Sequence, residues 1–346
     1  MAFYDRFFEA LGLEDWCGEA TGGPMTMAEL LAQSSSGGAG EEEAAVPFME
    51  TPFPSLDTLH GSCNTIPRTR DMTEAVEQSF IGIKDELRFV LDPITAPLGW
   101  LLDQTLIWFQ IIPWFFMIPI LMLVTWFSAR SLGVLALVTG SFLFMAAIDH
   151  YDAAIATLSI VFVCTAFSVV LGVPIGIAMS KSNTLQRITI PILDMLQTLP
   201  TFVYLIPLIF LFSVTESKLY GIAIILYAIV PVIRLTDLGI RLVDKDVIEA
   251  ADAFGMSNRQ KLTGVQIPLA LPNIMAGINQ TIMMSLAMVV IASLVSAPGL
   301  GRLVLRGINN LELGVGLVAG FCIVILAILL DRVTKAALGR INTSEH

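Results

Sequence analysis

What this chain lacks narrows its chemistry first. No Gly-Lys dipeptide occurs anywhere, so the GxxxxGK[ST] loop that cradles nucleotide phosphates is missing, and the chain is not itself an ATPase of that kind. Three scattered histidines without an HExxH pair give no basis for a metal site. The four cysteines, Cys17, Cys63, Cys164 and Cys322, form no CxxC pair. Cys164 and Cys322 sit inside apolar runs, where a thiol acts as a small hydrophobe, while a disulfide between Cys17 and Cys63 is left open. The start, MAFYDRFFEALGLEDW, lacks a basic n-region followed by a sustained apolar stretch, so no cleavable signal peptide is expected. Charge is also scarce: 14% of the 346 residues are charged against 55% hydrophobic, too apolar for a soluble domain of this length and the mark of an integral membrane protein.

The charge that is present is unevenly placed. Residues 1–104 hold 18 acids and only five bases (Arg6, Arg68, Arg70, Lys84 and Arg88), so the formal net charge of −11 belongs to this tail. Residues 1–70, rich in Gly, Ser, Pro and acid, are expected to be mostly disordered, with a short amphipathic helix open to the first residues. A solvated tail explains the acid; a positively charged external partner is the alternative. In the 71–104 region Val76, Phe80, Ile83, Leu87, Val90 and Leu91 make a helical pattern opposite Glu77, Lys84, Asp85 and Arg88. That pattern suits a helix lying on the membrane surface, and equally a soluble helix packed on loops.

Seven apolar runs approach or exceed the ~20 residues that cross a bilayer. They cover 105–127, 131–148, 153–180, 190–214, 219–240, 273–297 and 313–333, the second being short. The first two form an accessory pair within 105–150; the others lie in a core, 153–335, that is followed by a tail, 336–346. If the polar segment 241–272 is cytoplasmic, 11 basic residues fall on the cytoplasmic side and only Lys218, Arg302 and Arg306 on the other. The positive-inside bias then puts the amino terminus outside and the carboxyl terminus in the cytoplasm.

The polar segment carries a helix-turn-helix pattern. Asp246 followed by Glu249 resembles a capping box, which predicts a helix start there; Gly255 suits a left-handed stop, and Ser257 with Gln260 repeats the capping signal for a second helix ending before Pro268. Val247, Ala250, Ala251 and Phe254 form a narrow apolar stripe on the first helix. So short a helix is marginal alone, and its small side chains would let another protein approach the backbone. An ordinary loop folded on its own spans is the alternative.

Glu249, Ala250 and Ala251, then Gly255, then Val265, Gln266, Ile267 and Pro268 at this spacing resemble the EAA signature of ABC importer permeases. DMLQTLPTFVYLIP, IVPVIRLTDLGI and NQTIMMSLAMVVIASLVSAPGLGRLVLRGI resemble, more narrowly, permeases for glycine betaine, proline betaine and related quaternary amines. The resemblance covers about residues 90–340 and departs at Pro298, where the family turn would carry glycine. It implies an all-α membrane protein of about seven transmembrane helices, with a five-helix type I permease core in the plasma (inner) membrane. It further implies a non-catalytic subunit whose partners are a second copy, an external solute-binding protein and a cytoplasmic ATPase that itself holds ATP and Mg. Nothing points to nucleic acid. Glu249, Ala250, Ala251, Phe254, Gly255, Ile267 and Pro268 would meet the ATPase.

Pro200 and Pro207 interrupt one run, and irregular backbone at membrane depth is tolerated only where it is buried or lines a cavity. Asp194, Gln197, Pro200, Thr201, Tyr204 and Arg234 are therefore candidates for a pore or gate, with Asp194 and Arg234 as a pair; a kinked packing helix and snorkelling charges are the alternative. Asp237 reads as a further interfacial charge. Arg302 and Arg306 are candidates for meeting acids on a binding protein, or for stabilising their own loop. An ion-coupled transporter would want a charge at the bilayer midplane, and none occurs in 153–180 or 273–297. A permease for another small solute, such as an amino acid, shares all of these features.

Overall fold

The computed structural model describes Tyr4, Phe8, Leu11, Gly12, Cys17, residues 53–63 and residues 65–343, and among these every regular element is helical. Two compact units divide the chain, Met1–Asp85 and Glu86–His346. Most of the acidic tail, with its expected disorder and its first short helix, lies outside the described residues.

In the first unit, α1 (Leu56–Ser62) starts at Ser55, whose hydroxyl accepts from the Thr58 N–H. Cys17 and Cys63 are buried and joined by a disulfide, with Cα atoms 4.5 Å apart. The Asp57 carboxylate accepts from the Thr69 N–H at 2.9 Å, at the first residue of α2 (Thr69–Ile111).

Helix α2 runs without a break through the boundary expected at 104. It stops at Ile112 and Pro113, and α3 (Trp114–Ala129) leaves at 113° to it. The run 105–127 is therefore not one straight helix: Pro113 has no N–H to continue the ladder and disfavours helical backbone at Ile112. Helix α4 (Leu132–Ala147) has 16 residues. At 1.5 Å per residue that is about 24 Å, less than the ~30 Å hydrocarbon thickness.

Next come α5 (Tyr151–Lys181), α6 (Asn183–Thr198), α7 (Leu205–Leu211) and α8 (Ser217–Arg241). The run 190–214 is likewise divided, by a turn from Leu199 to Tyr204 containing Pro200. Two short helices, α9 (Lys245–Ala253) and α10 (Asn258–Lys261), precede a π-helical turn, Leu262–Gln266, and α11 (Ile267–Ala292). Helices α12 (Leu300–Asn309) and α13 (Leu313–Thr343) complete the described chain. By length and composition four stretches can cross a membrane: α5, α8, Asn258–Val295 and Leu313–Ala337; the bent α2–α3 pair makes a fifth if it is one span. The seven apolar runs thus yield fewer uninterrupted spans, because proline divides two of them and a third is short.

Lipid offers no hydrophobic drive between spans, so close packing and internal hydrogen bonds must hold them together. Helix α8 lies between α5 and α11. A Cβ on Gly239 would come within 2.7 Å of the Asn273 Cβ and 3.3 Å of the Ala270 carbonyl, so α8 and α11 touch nearly backbone to backbone. Thr165 donates to Ser285 across α5 and α11 at 3.3 Å, fully inside the bundle. Such interhelical bonds are worth about 0.6 kcal/mol each on average.

At the amino-terminal end of α8, four charges close a ring. Arg88 reaches Asp92 at 3.3 Å and Glu216 at 2.8 Å, while Lys218 reaches Asp92 at 2.7 Å and Glu216 at 2.8 Å. Lys218 also lies 5.0 Å above the Phe212 ring. The ring fastens α2 to the start of α8.

Candidate functional site

The segment from Asp244 to Ile267 joins α8 to α11. Its first helix starts earlier than the sequence suggests: Asp244, not Asp246, is the cap, and its carboxylate accepts from the Asp246 N–H at 3.0 Å. Both residues are suitable acids, and the one beside the end of α8 takes the position. Gly255 has φ +75°, the left-handed stop, and the Gly255 and Met256 N–H groups donate to Asp252 and Ala251 carbonyls at 2.9 and 3.1 Å. Ser257 and Gln260 form a reciprocal capping box: the Ser257 N–H donates to Gln260 Oε1 at 2.8 Å, and the Gln260 N–H to Ser257 Oγ at 3.4 Å. An ion pair between Asp252 and Lys261 crosses the turn.

The second helix does not end before Pro268. It widens into the π turn and continues as α11. A proline ring at 268 would press on the carbonyl of Gly264 in a regular α-helix, and the wider turn relieves that contact.

The apolar stripe faces outward. Phe254 is 88% exposed and Val247 40%, with Ala250 and Glu249 also exposed, and only Ala251 is buried. Ile267 and Pro268 are half-buried at the base of the segment. An exposed phenylalanine on a two-turn helix is an unpartnered surface made by backbone caps rather than by a core.

The candidate pore residues gather around the α6–α7 break. Asp194 of α6 and Arg234 of α8 form an ion pair, both half-exposed. Pro200 and Thr201 lie in the turn. The Tyr204 hydroxyl is buried against the Met288 sulfur at 3.7 Å, and the Gln197 amide reaches the Met284 sulfur at 4.0 Å. Both sulfurs belong to α11, so the broken helix is hung on that span by soft contacts.

A cluster of which the sequence offered only Asp237, as an interfacial charge, lies within the last two turns before the Asp244 cap. Asp237 is 5% exposed, and its two oxygens accept from Arg241 Nε at 2.8 Å and Gln186 Nε2 at 2.7 Å. The Arg241 guanidinium also donates to Asn183 Oδ1 at 2.8 Å and to the Met179 carbonyl at 2.7 Å. An Asp-Arg pair four apart near a helix end was the visible signal, but it reads like an ordinary surface pair.

At the other end of the bundle, Arg306 pairs with Glu312 at 3.3 Å and Arg302 is exposed. Pro298 precedes Gly299, which keeps φ +111° against Thr157, and Thr157 Oγ1 accepts from the Leu300 N–H at 2.9 Å. The turn therefore retains glycine where a side chain would not fit, and Pro298 is accommodated beside it.

A helical bundle with a capped, outward-facing polar connector between two closely packed spans is the architecture of a multi-pass membrane permease. Residues 168–342 match the family described as binding-protein-dependent transport system inner membrane component, and the chain belongs to it. It is 40% identical over 296 residues to the glycine betaine/proline betaine transport system permease protein ProW of Escherichia coli, covering 84% of this chain and 80% of that one. It is 42% identical over 258 residues to the glycine betaine transport system permease protein OpuAB of Bacillus subtilis, covering 74% and 86%. Among solved structures, an inward-facing form of the MetNI methionine ABC transporter aligns with TM-score 0.50 at 20% identity, covering 56% of this chain and 95% of that one. The fold is that of a type I ABC permease core.

Proposed function

We propose that this chain is the membrane-spanning subunit of an ATP-driven importer for glycine betaine, proline betaine or a related quaternary amine. Two copies form the translocation path, a cytoplasmic ATPase pair holding ATP and Mg docks on Glu249 to Gly255, and an external binding protein delivers the solute to the side bearing Arg302 and Arg306. The names of the relatives support the cargo. The observation that carries the mechanism is Phe254, a large aromatic left 88% exposed on a rigidly capped connector. Aromatic side chains of this kind anchor protein interfaces.

In this reading the ATPases close on ATP, the 241–272 segment moves as a capped rigid body, and the core switches between inward and outward access, so that two distant sites share one conformational equilibrium. The Asp194–Arg234 pair and the Gln197–Tyr204 break form the gate on the cytoplasmic side. Placing the amino-terminal unit outside is supported by the distribution of basic residues and by the Cys17–Cys63 disulfide, since disulfides persist in oxidising compartments.

The test is uptake of labelled glycine betaine into proteoliposomes holding this chain with its ATPase and binding protein. ATP should drive uptake, and an imposed proton or sodium gradient should not. Uptake on the ion gradient without ATP would overturn the reading.

A further inference from the structure

The coupling segment is mounted on two legs, the end of α8 and the start of α11, which meet nearly backbone to backbone at Gly239. A push on the segment therefore moves both legs together. The gate residues Asp194 and Gln197 belong instead to α6, which begins beside the end of α8, and something must carry the movement across.

We propose that Asp237 and Arg241 are the positioning pair that carries movement of the coupling segment to the gate-bearing helix α6; this rests on the importer reading above. Three features make the pair a joint. Arg241 lies three residues before the Asp244 cap and Asp237 one turn before Arg241, so the pair sits at the root of the segment. Its reach covers three helices: Arg241 spends its guanidinium on Asp237 of α8, Asn183 at the start of α6 and the last turn of α5, while Asp237 holds Gln186 of α6. Its stiffness follows from burial, because a carboxylate 5% exposed cannot exchange these donors for water at low cost.

The Asp194–Arg234 ion pair is a second link between the same two helices, about two turns further along α6 and about one turn earlier on α8. Two links between antiparallel helices define a lever arm, whereas one would act as a pivot. Displacement entering at Arg241 thus reaches Asp194 along α6, which stays one helix from Asn183 to Thr198 with Pro191 inside it. Asp237 and Arg241 need touch neither solute nor ATPase.

The experiment uses the full chain reconstituted with its ATPase and binding protein. Asp237→Asn removes the charge. The double variant Asn183→Ala with Gln186→Ala cuts both side-chain links to α6 and leaves the Asp237–Arg241 pair in place, which keeps the test informative if the first variant folds poorly. ATP hydrolysed per solute imported should rise about ten-fold in both, with ATPase assembly unchanged. Spin labels at the exposed Met195 of the two copies should change separation on trapping with ATP in the wild type, as the gate-bearing helices move, and fail to do so in the double variant. A wild-type ratio and a wild-type distance change in the double variant would overturn the proposal alone. Absence of ATP-driven uptake in the wild type would overturn the importer reading and this proposal with it.

Discussion

Gly176 of α5 lies directly against Thr236 of α8: a Cβ on residue 176 would come within 2.6 Å of the Thr236 Cβ and 2.7 Å of the Ile233 carbonyl oxygen. The two spans meet here with no room for adjustment, since the obstacles are a stiff β-branched side chain and backbone. Gly176→Leu is expected to cost about 3 kcal/mol by overpacking, read as a lower unfolding temperature in detergent. Gly264→Ala, at a position with open space around it, should leave the unfolding temperature nearly unchanged.

Gly255→Val should insert and fold but lose transport. A β-branched residue at φ +75° is strained by ~1–3 kcal/mol, enough to shift the turn between α9 and α10 without unfolding the spans. Uptake should fall while ATP hydrolysis by the assembled complex continues. Normal coupled uptake would remove the basis for assigning this turn to coupling.

Phe254→Ala separates docking from stability. The ring is 88% exposed, so its loss should not lower the unfolding temperature of the isolated chain. As an interface anchor it should contribute ~2 kcal/mol or more, a loss of about thirty-fold in ATPase affinity measured by titration against the purified partner.

The charge ring at the start of α8 has a pH signature. Burial pushes the Glu216 carboxyl up, but the Lys218 ammonium, the Ser213 backbone and the Arg88 guanidinium outweigh it and hold Glu216 below the usual carboxylate range. A depressed folded-state value means that the ring stabilises the fold above the unfolded value near 4.5 and loses that contribution as pH falls through the lower folded one. The stability difference between wild type and Glu216→Gln should therefore be constant near neutrality and shrink below about pH 4.5.

The Cys17–Cys63 bond spans 46 residues of sequence. Chain-entropy arguments put its stabilisation of the amino-terminal unit at about 4 kcal/mol. Cys63→Ser should make that unit more sensitive to limited proteolysis. In intact cells stripped of their outer layers, reduction should expose Cys17 and Cys63 to an impermeant maleimide; protection from it would place them on the inner side.

How much of this was legible in the sequence varies with the range of the forces involved. Gly255 and the Ser257–Gln260 box are local backbone chemistry, readable from spacing alone. The start of α9 was misread by two residues because Asp244 and Asp246 are equally good caps, and only the end of α8 decides between them. The break at Pro200 was read from its proline, whereas at Pro113 the apolar run around it outweighed that signal. The Asp237 cluster depends on Gln186, 51 residues away, and on a carbonyl that no side-chain pattern reveals. The family resemblance, by contrast, rested on local motifs, which is why it could be read without the fold.

The π turn at Leu262–Gln266 has a consequence for how this chain can change over time. An α-helix advances about 100° per residue, so one residue too many or too few rotates everything beyond it by that amount. The wide turn absorbs one residue, setting the phase between the face that α9 and α10 offer outward and the face that α11 offers inward. Substitutions on either side can drift independently, and a single-residue deletion within 262–266 would return the turn to α-helical form with both faces still in phase, whereas a deletion in the regular helix beyond it would rotate one face against the other by about 100°. The turn is thus where this stretch can lose a residue and keep its two faces aligned.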